Sequence, residues 1–206
     1  MKKLLTLIAV MAFTVTAQAQ HEQGDFTIQP RVGITISKFT DADKSKVNFA
    51  YGVEFEHFFA DQFSWAAGLL FTNQGGKYTD IYDETNKKND LTLNIYYATI
   101  PITANFYVLP GLALKAGIQP AFRVKAKAKM GDNTYDYDRM MDLWKNWFGE
   151  KTEDMNKFDL SIPVGLSYEF NRITFDARYN IGLTKLIKGE DIHNKVFVLT
   201  LGYKFN

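Results

Sequence analysis

Residues 173–184 (ITFDARYNIGLT) decide the fold, because apolar and polar residues alternate strictly along them. Such alternation is typical of a β-strand with one apolar face, and about a dozen residues is the length of a tilted membrane-spanning strand. The preceding segment, Phe158–Phe170, alternates in the same way. Only Asn171 and Arg172 separate the two segments, so the sequence predicts a hairpin with a tight turn.

Six further segments show the same alternation, at residues 26–36, 49–59, 63–71, 96–108, 112–124 and 197–205. Short connections alternate with long ones: the short ones are 60–62, 109–111 and 171–172, and the long ones are 38–47, 75–90, 128–156 and 185–194. This asymmetry is typical of outer-membrane barrels. We predict an all-β fold, an eight-stranded antiparallel up-and-down transmembrane β-barrel. Its short turns and both termini are expected to be periplasmic, and its longer loops extracellular.

The N-terminus has the pattern of a secretory signal peptide. Lys2 and Lys3 precede an apolar run over residues 4–15, and Ala17-Gln18-Ala19 supplies a small-x-small cleavage site. We therefore expect a signal peptide over residues 1–19 and one barrel domain over 20–206, in the cell outer membrane of a Gram-negative bacterium. The chain has no cysteine, which excludes disulfides and thiolate metal sites. A net charge of +1 argues against a nucleic-acid partner.

The apolar series is expected to face lipid and the polar series the lumen. A soluble lipocalin-like barrel would reverse this, but the apolar series is too large for an eight-stranded interior. The polar series includes Lys125 and many glycines, as a narrow interior requires. Aromatic residues near the turns are predicted to form an interfacial girdle: Phe58, Phe59, Phe63, Trp65, Phe106, Tyr107, Tyr168, Phe170, Tyr203 and Phe205. Prolines inside strands are expected at bulges or near a rim: Pro30, Pro101, Pro120 and Pro163.

Ten charged residues fall in the lumen-facing series: Arg31, Glu54, Glu56, Lys115, Arg123, Asp159, Glu169, Asp176, Arg178 and Lys204. Unpaired buried charges are costly, so these residues are expected to form a paired network. The functional interpretation is a gated polar pathway or an ion site. The structural interpretation is a salt-bridged plug, which we favour because eight-stranded barrels leave no open channel.

Loop 128–156 is the longest connection and is rich in aromatic residues. Met140, Leu143, Trp144 and Trp147 are spaced three and four apart, which indicates a short amphipathic helix. The loop is interpreted as a lid over the barrel mouth or as a binding surface for a protein or glycan partner, and the two can coexist. The candidate surface comprises Tyr135, Tyr137, Trp144, Trp147 and Phe148.

The sequence contains little that indicates catalysis. Its three histidines, His21, His57 and His193, fall at separate places in this topology. His193 with Asp191 is the one pair resembling part of a rim-located catalytic site, and a solvated loop explains it better. We expect no enzyme activity, no metal site and no cofactor.

Several motifs resemble those of a known family. They are Lys157-Phe158-Asp159, Gly165 to Phe170, Asp176 to Thr184 and the closing Leu201-Gly202-Tyr203-Lys204-Phe205. Together they resemble the PorT-like outer-membrane β-barrel family common in Bacteroidetes. The resemblance implies an outer-membrane barrel whose namesake takes part in protein export. It also implies a terminal signal for the barrel-assembly machinery, carried here by Tyr203 and Phe205, although Asn206 follows.

The leading hypothesis is a barrel with a structural or interaction role through its extracellular loops, without an open pore. Its expected partners are outer-membrane lipid and, during biogenesis, the barrel-assembly machinery. The alternatives are a component of a protein-secretion system, a barrel-embedded lipid-modifying enzyme and a small porin.

Overall fold

The computed structural model describes residues 22–82, 88–131, 133–148, 155–187 and 191–205, with only the backbone of 80–82, 88–89 and 143–148. The signal peptide prediction concerns residues outside these ranges. The described elements are β1 (Phe26–Phe39), β2 (Lys44–Ala60), β3 (Phe63–Tyr82), β4 (Lys88–Thr99), β5 (Ile102–Leu109), β6 (Leu112–Met130), β7 (Asn133–Asp136), α1 (Tyr137–Phe148), β8 (Phe158–Phe170), β9 (Ile173–Gly182) and β10 (Asn194–Tyr203).

The strands close into a ring of eight positions. β1 pairs with β2 and β10, and the antiparallel pairing continues around the barrel through β3, β6, β8 and β9. β4 and β5 together fill the position between β3 and β6. β7 pairs only with the far end of β6. The predicted eight-stranded up-and-down barrel is confirmed.

The two ends of the barrel differ as predicted. Two-residue turns at 61–62, 110–111 and 171–172 join strands at one end, which we call the turn end. Asn171 (φ 56°) and Gly111 (φ 77°) adopt the left-handed conformation that such tight turns require. The opposite end, the loop end, carries the long connections. There the strands run further than the alternation predicted, since β3 continues to Tyr82 and β6 to Met130.

The apolar series faces outward and the polar series inward. Phe175 is 50% exposed and Val124 65%, whereas Arg31 and Asp176 are 2% and 3% exposed. An apolar exterior around a charged interior is the inverse of a soluble barrel, and it suits a lipid surround. No helix in the described ranges is long and apolar enough to cross a membrane.

The aromatic girdle lies at the turn end, with two corrections. Phe63 stacks on Phe106 with ring centroids 4.9 Å apart, and both rings are outward and exposed. Phe58 and Tyr107, predicted in the girdle, are instead buried inside the barrel, where they pack with Ala113. The alternation of side chains along a strand explains the difference. Phe58 and Tyr107 are each next to an outward-facing residue, so their own side chains point inward.

The four prolines lie at gaps in hydrogen-bond ladders, whereas the sequence analysis expected bulges or positions near a rim. Pro101 lies at the break between β4 and β5, the two strands that together fill the fourth position of the barrel. Pro120 accepts a hydrogen bond from Ile100 N–H beside that interruption. Pro30 and Pro163 face stretches where the β1–β10 and β6–β8 ladders lack partners. A residue without an N–H is tolerated where no ladder donor is needed.

Candidate functional site

A cluster of five charges fills the middle of the lumen. Glu54 of β2 lies 2.8 Å from Arg31 (Oε1 to Nη2), 2.9 Å from Lys115 Nζ and 2.9 Å from Arg178. Asp176 contacts the same cations, at 2.6 Å from Arg178 Nε and 3.0 Å from Lys115 Nζ. The strand alternation places all five on the inner face, where each side chain is almost fully buried. Two carboxylates therefore bind three cations.

A second cluster lies nearer the turn end. Lys204, just after β10, contacts Glu56 at 3.1 Å and also Glu169 of β8. Its ammonium lies 5.5 Å from the centre of the Phe58 ring, which adds a cation–π contact. Here two carboxylates contact one cation, so this cluster has a net negative charge. The central cluster, with three cations and two carboxylates, has a net positive charge.

Neutral side chains surround Glu56 and connect the clusters. Arg31 donates to Gln29 (2.8 Å), and Gln29 donates to Glu56 (2.9 Å). Glu56 also accepts from other buried donors: Ser64 (2.6 Å), Asn105 (2.9 Å) and Tyr107 (2.9 Å). Across both clusters four cations meet four carboxylates, so the joined network is neutral. A neutral, hydrogen-bonded network is the condition under which buried charges are tolerated.

Glycine makes room for this network. Gly165 of β8 lies opposite Arg178 of β9. A Cβ at Gly165 would lie 2.2 Å from the Ala177 carbonyl oxygen and 2.9 Å from Arg178 Cγ. The close approach of the arginine stem to the backbone therefore requires a residue without a side chain.

Two of the ten predicted charges lie apart from the network. Arg123 pairs with Asp138 of α1 at 2.7 Å, and Asp159 contacts Thr184. Both sit closer to the loop end. Alternation predicts whether a side chain faces the lumen or the lipid, but not its position along the barrel axis. The sequence analysis therefore placed Arg123 and Asp159 in one network with the other eight charges.

An apolar cluster closes the loop end, and the alternation missed it. Phe39 and Ile95 are fully buried, and Tyr97 is 1% exposed. Met155 and Leu186 come from the loops and pack on them. A backbone bridge between Met155 and Ile187 ties the two loops together. The lumen is thus occupied by charges towards the turn end and by apolar side chains at the mouth.

The helix-bearing loop is attached to the barrel by charged and apolar contacts. Arg123 binds Asp138 at the start of α1, and Lys125 lies 3.3 Å from Asp136. The backbone N–H of Arg139 is the main cause of a lowered pKa at Asp136. Tyr137 packs against the mouth cluster, whereas Tyr135 is 44% exposed. The predicted helix is present as α1; the side chains of Trp144, Trp147 and Phe148 are not described.

The remaining predicted residues lie at exposed positions. Tyr203 and Phe205 face outward at the turn end, with ring centroids 4.8 Å apart. His193 and Asp191 approach to 3.4 Å on a loop. Within the described ranges, no three His, Asp or Glu side chains gather as metal ligands would.

These observations define a closed membrane β-barrel whose lumen is filled by the side chains described above. The chain belongs to the outer membrane protein beta-barrel domain family, which matches residues 17–188. No curated protein sequence matches it.

Among solved structures, the chain is similar to Ail, the attachment invasion locus protein of Yersinia pestis, in complex with the heparin analogue sucrose octasulfate. The identity is 14%, over 88% of this chain and 99% of that chain, with a TM-score of 0.51. It is also similar to Neisserial surface protein A, at 12% identity over 87% and 97% of the two chains, with a TM-score of 0.49. At 14% identity, the likeness to Ail shows a shared fold alone.

Proposed function

We propose that this outer-membrane barrel is a non-enzymatic, non-conducting binding protein whose function lies in its extracellular loops. The observation that carries this is the double obstruction of the lumen. Buried ion pairs cross it in the middle, and Phe39, Tyr97 and Leu186 close the mouth above them. A lumen filled in this way offers no route for solutes, which leaves the outer loops as the functional surface.

The loop after β6 is the part we assign to partner binding. Its helix is attached to the barrel wall through Arg123 and Asp138, so the binding surface is held in place before a partner arrives. Preorganisation of this kind lowers the entropic cost of binding. Exposed Tyr135 supplies an aromatic contact, and the proposed partner is a protein or a glycan. The likeness to Ail, which was solved with a sulfated ligand, makes sulfated glycans a suitable first set of probes.

The experiment has two arms, both with the whole barrel refolded into bilayers. In planar bilayers we expect no stepwise conductance, and steady channels would contradict the proposal. On an array of sulfated and neutral glycans, and in crosslinking to surface proteins, binding should fall in Trp144→Ser/Trp147→Ser. The control is Lys185→Gln, which alters a different loop and should bind as the wild type does.

The chain's orientation and export are part of the same proposal. Glu22 and Phe205, at the two ends of the described chain, both lie at the turn end, where the backbone of Ile28 pairs with that of Phe205. This supports periplasmic termini. A signal peptide over residues 1–19 and recognition of Tyr203 and Phe205 by the assembly machinery complete the proposal and rest on the sequence. The PorT-like assignment rests on the sequence motifs, and a crosslinking pull-down without secretion proteins would contradict a role in protein export.

A further inference from the structure

A β-bulge at the loop end of β6 turns lysines toward the outside of the barrel. The register between β4 and β6 shifts by one residue, so Tyr97 pairs with Arg123 but Tyr96 with Lys125. Val124 and Lys125 are consequently both exposed. This corrects the prediction that Lys125 faces the lumen. Beyond the bulge the buried residues are Ala126 and Ala128, and the outward positions are Lys125, Lys127 and Lys129.

A fourth lysine joins these three across the neighbouring strands. Lys46 of β2 donates to the side chain of Asn94, which pairs with Lys127 in the sheet. We call Lys46, Lys125, Lys127 and Lys129 the lysine patch. Among the described acidic groups, Asp136 forms an ion pair with the patch, through Lys125, which leaves an excess of positive charge.

An apolar groove of about 560 Å³ runs along the outer wall directly beside this patch. Its lining combines exposed aromatic and aliphatic side chains with two of the lysines: Phe49, Tyr51, Phe71, Tyr96, Val124, Lys125 and Lys127. Tyr51 and Phe71 stack with ring centroids 5.7 Å apart and form one wall. The groove is therefore apolar on the side of the lipid-facing belt and positive at the loop end.

The groove also contains a polar atom without a partner. Asn73 lines it, and the side-chain oxygen of Asn73 is buried and makes no hydrogen bond within the described part of the chain. A buried acceptor of this kind favours a ligand that brings a hydroxyl or amide donor. Phe122 and Val124, the last apolar outward residues of β6, place the lysine patch at the level where lipid headgroups begin.

We propose that this groove binds a lipid of the leaflet around the loop end whose phosphate headgroup carries a net negative charge. One acyl chain lies in the groove between Phe49 and Tyr96, and the phosphate binds Lys125 and Lys127. Charge complementarity selects this occupant, because phosphates meet lysines only where the apolar belt ends. The inference rests on the membrane placement of the barrel and not on any loop partner.

The test measures lipid retained by the full mature barrel in detergent, by native mass spectrometry. Dioleoyl phosphatidate and dioleoyl phosphatidylcholine are the probes, since they share acyl chains and differ in headgroup. We expect about tenfold stronger retention of phosphatidate, as attraction per lysine near a membrane surface implies. The variant Lys125→Gln/Lys127→Gln should lose this preference. In the matched control, Lys38→Gln/Lys195→Gln, two exposed lysines that pair across β1 and β10 are removed, and the preference should remain.

Four results would overturn the proposal. The first is equal retention of both lipids by the wild type, and the second is an undiminished preference in Lys125→Gln/Lys127→Gln. The third is an equal loss in the control variant, which would indicate diffuse charge around the rim. The fourth is displacement of phosphatidate by millimolar inorganic phosphate, which would indicate a site for a free anion. Heat-modifiable migration on unboiled gels checks that every variant is folded.

Discussion

The two halves of the barrel interior are filled by opposite chemistry. Towards the turn end, eight charged side chains compensate one another, and all of them come from strands or from the residue after β10. At the loop end an apolar cluster lies among neutral polar side chains such as those of Gln74 and Asn194. Part of this cluster, Met155 and Leu186, comes from loops. The first filling depends on each partner being present, because a buried charge left alone is costly. The second depends on shape, and its loop residues can withdraw without exposing a charge.

This difference suggests a division of roles. The ionic half holds the wall together at a fixed register and admits few substitutions. The apolar half closes the mouth with weaker, local contacts, so it is the half that is able to adjust when the loops move. Substitutions in each half should therefore differ in size and in kind.

The largest effect is expected from Glu54→Gln. Glu54 contacts Arg31, Lys115 and Arg178, and its loss leaves three buried cations with Asp176 alone. Breaking a buried ion pair from one side costs about 3–5 kcal/mol. We expect a loss of that order in the free energy of unfolding, measured by urea titration of the barrel in lipid vesicles.

Two variants make the test of Glu54 selective. Asp61→Asn removes an exposed carboxylate from the β2–β3 turn and should change the free energy of unfolding by less than about 0.5 kcal/mol. Combining Glu54→Gln with Arg178→Gln removes one cation as well, so the double variant should recover part of the loss. Strict additivity of the two substitutions would contradict a coupled network.

A smaller effect is expected from Phe39→Ala at the mouth. Phe39 is fully buried against the loop-end cluster. Truncating a buried phenylalanine usually costs about 3–5 kcal/mol of unfolding free energy. We expect about 3 kcal/mol here, the lower end of that range, because neighbouring side chains can move into the space. The same vesicle titration measures the loss. Faster hydrogen exchange of the mouth amides would show that the mouth has loosened, and conductance should stay absent because the ion pairs below still block the lumen.

Tyr135→Ala is the control for the mouth, because Tyr135 is an exposed aromatic residue of the same end. It should leave both the free energy of unfolding and the hydrogen exchange of the mouth amides unchanged. If Phe39→Ala destabilised the barrel as much as Glu54→Gln and abolished folding, the mouth would be part of the framework and not an adjustable cap.

Much of the fold was predictable because alternation is a local property. The two-residue period predicted that Arg31, Glu54 and Asp176 face the lumen. The number of strands and the short turns between them predicted that the barrel closes. Lys125 was misplaced because a bulge at Val124 reverses the parity, and neither residue type nor spacing marks a bulge. The mouth cluster was missed because Met155 and Leu186 lie in loops without periodicity. Ile95 and Tyr97, large side chains at inward positions of β4, were local signals of an apolar mouth.

The smallest effect is expected from Arg123→Gln, which tests how the helix-bearing loop is attached. The Arg123 side chain is 4% exposed but that of its partner Asp138 is 51% exposed, so solvent screens the pair. We expect the free energy of local opening of α1 to fall by about 1 kcal/mol, which corresponds to about fivefold faster hydrogen exchange of its amides. Hydrogen exchange measures this, with Lys185→Gln as the control, since its partner Asp191 is 85% exposed and 3.5 Å away. Global stability should barely change, because the ionic half of the lumen is untouched. A large loss of global stability would instead show that Arg123 belongs to the charge network of the lumen, as the alternation predicted.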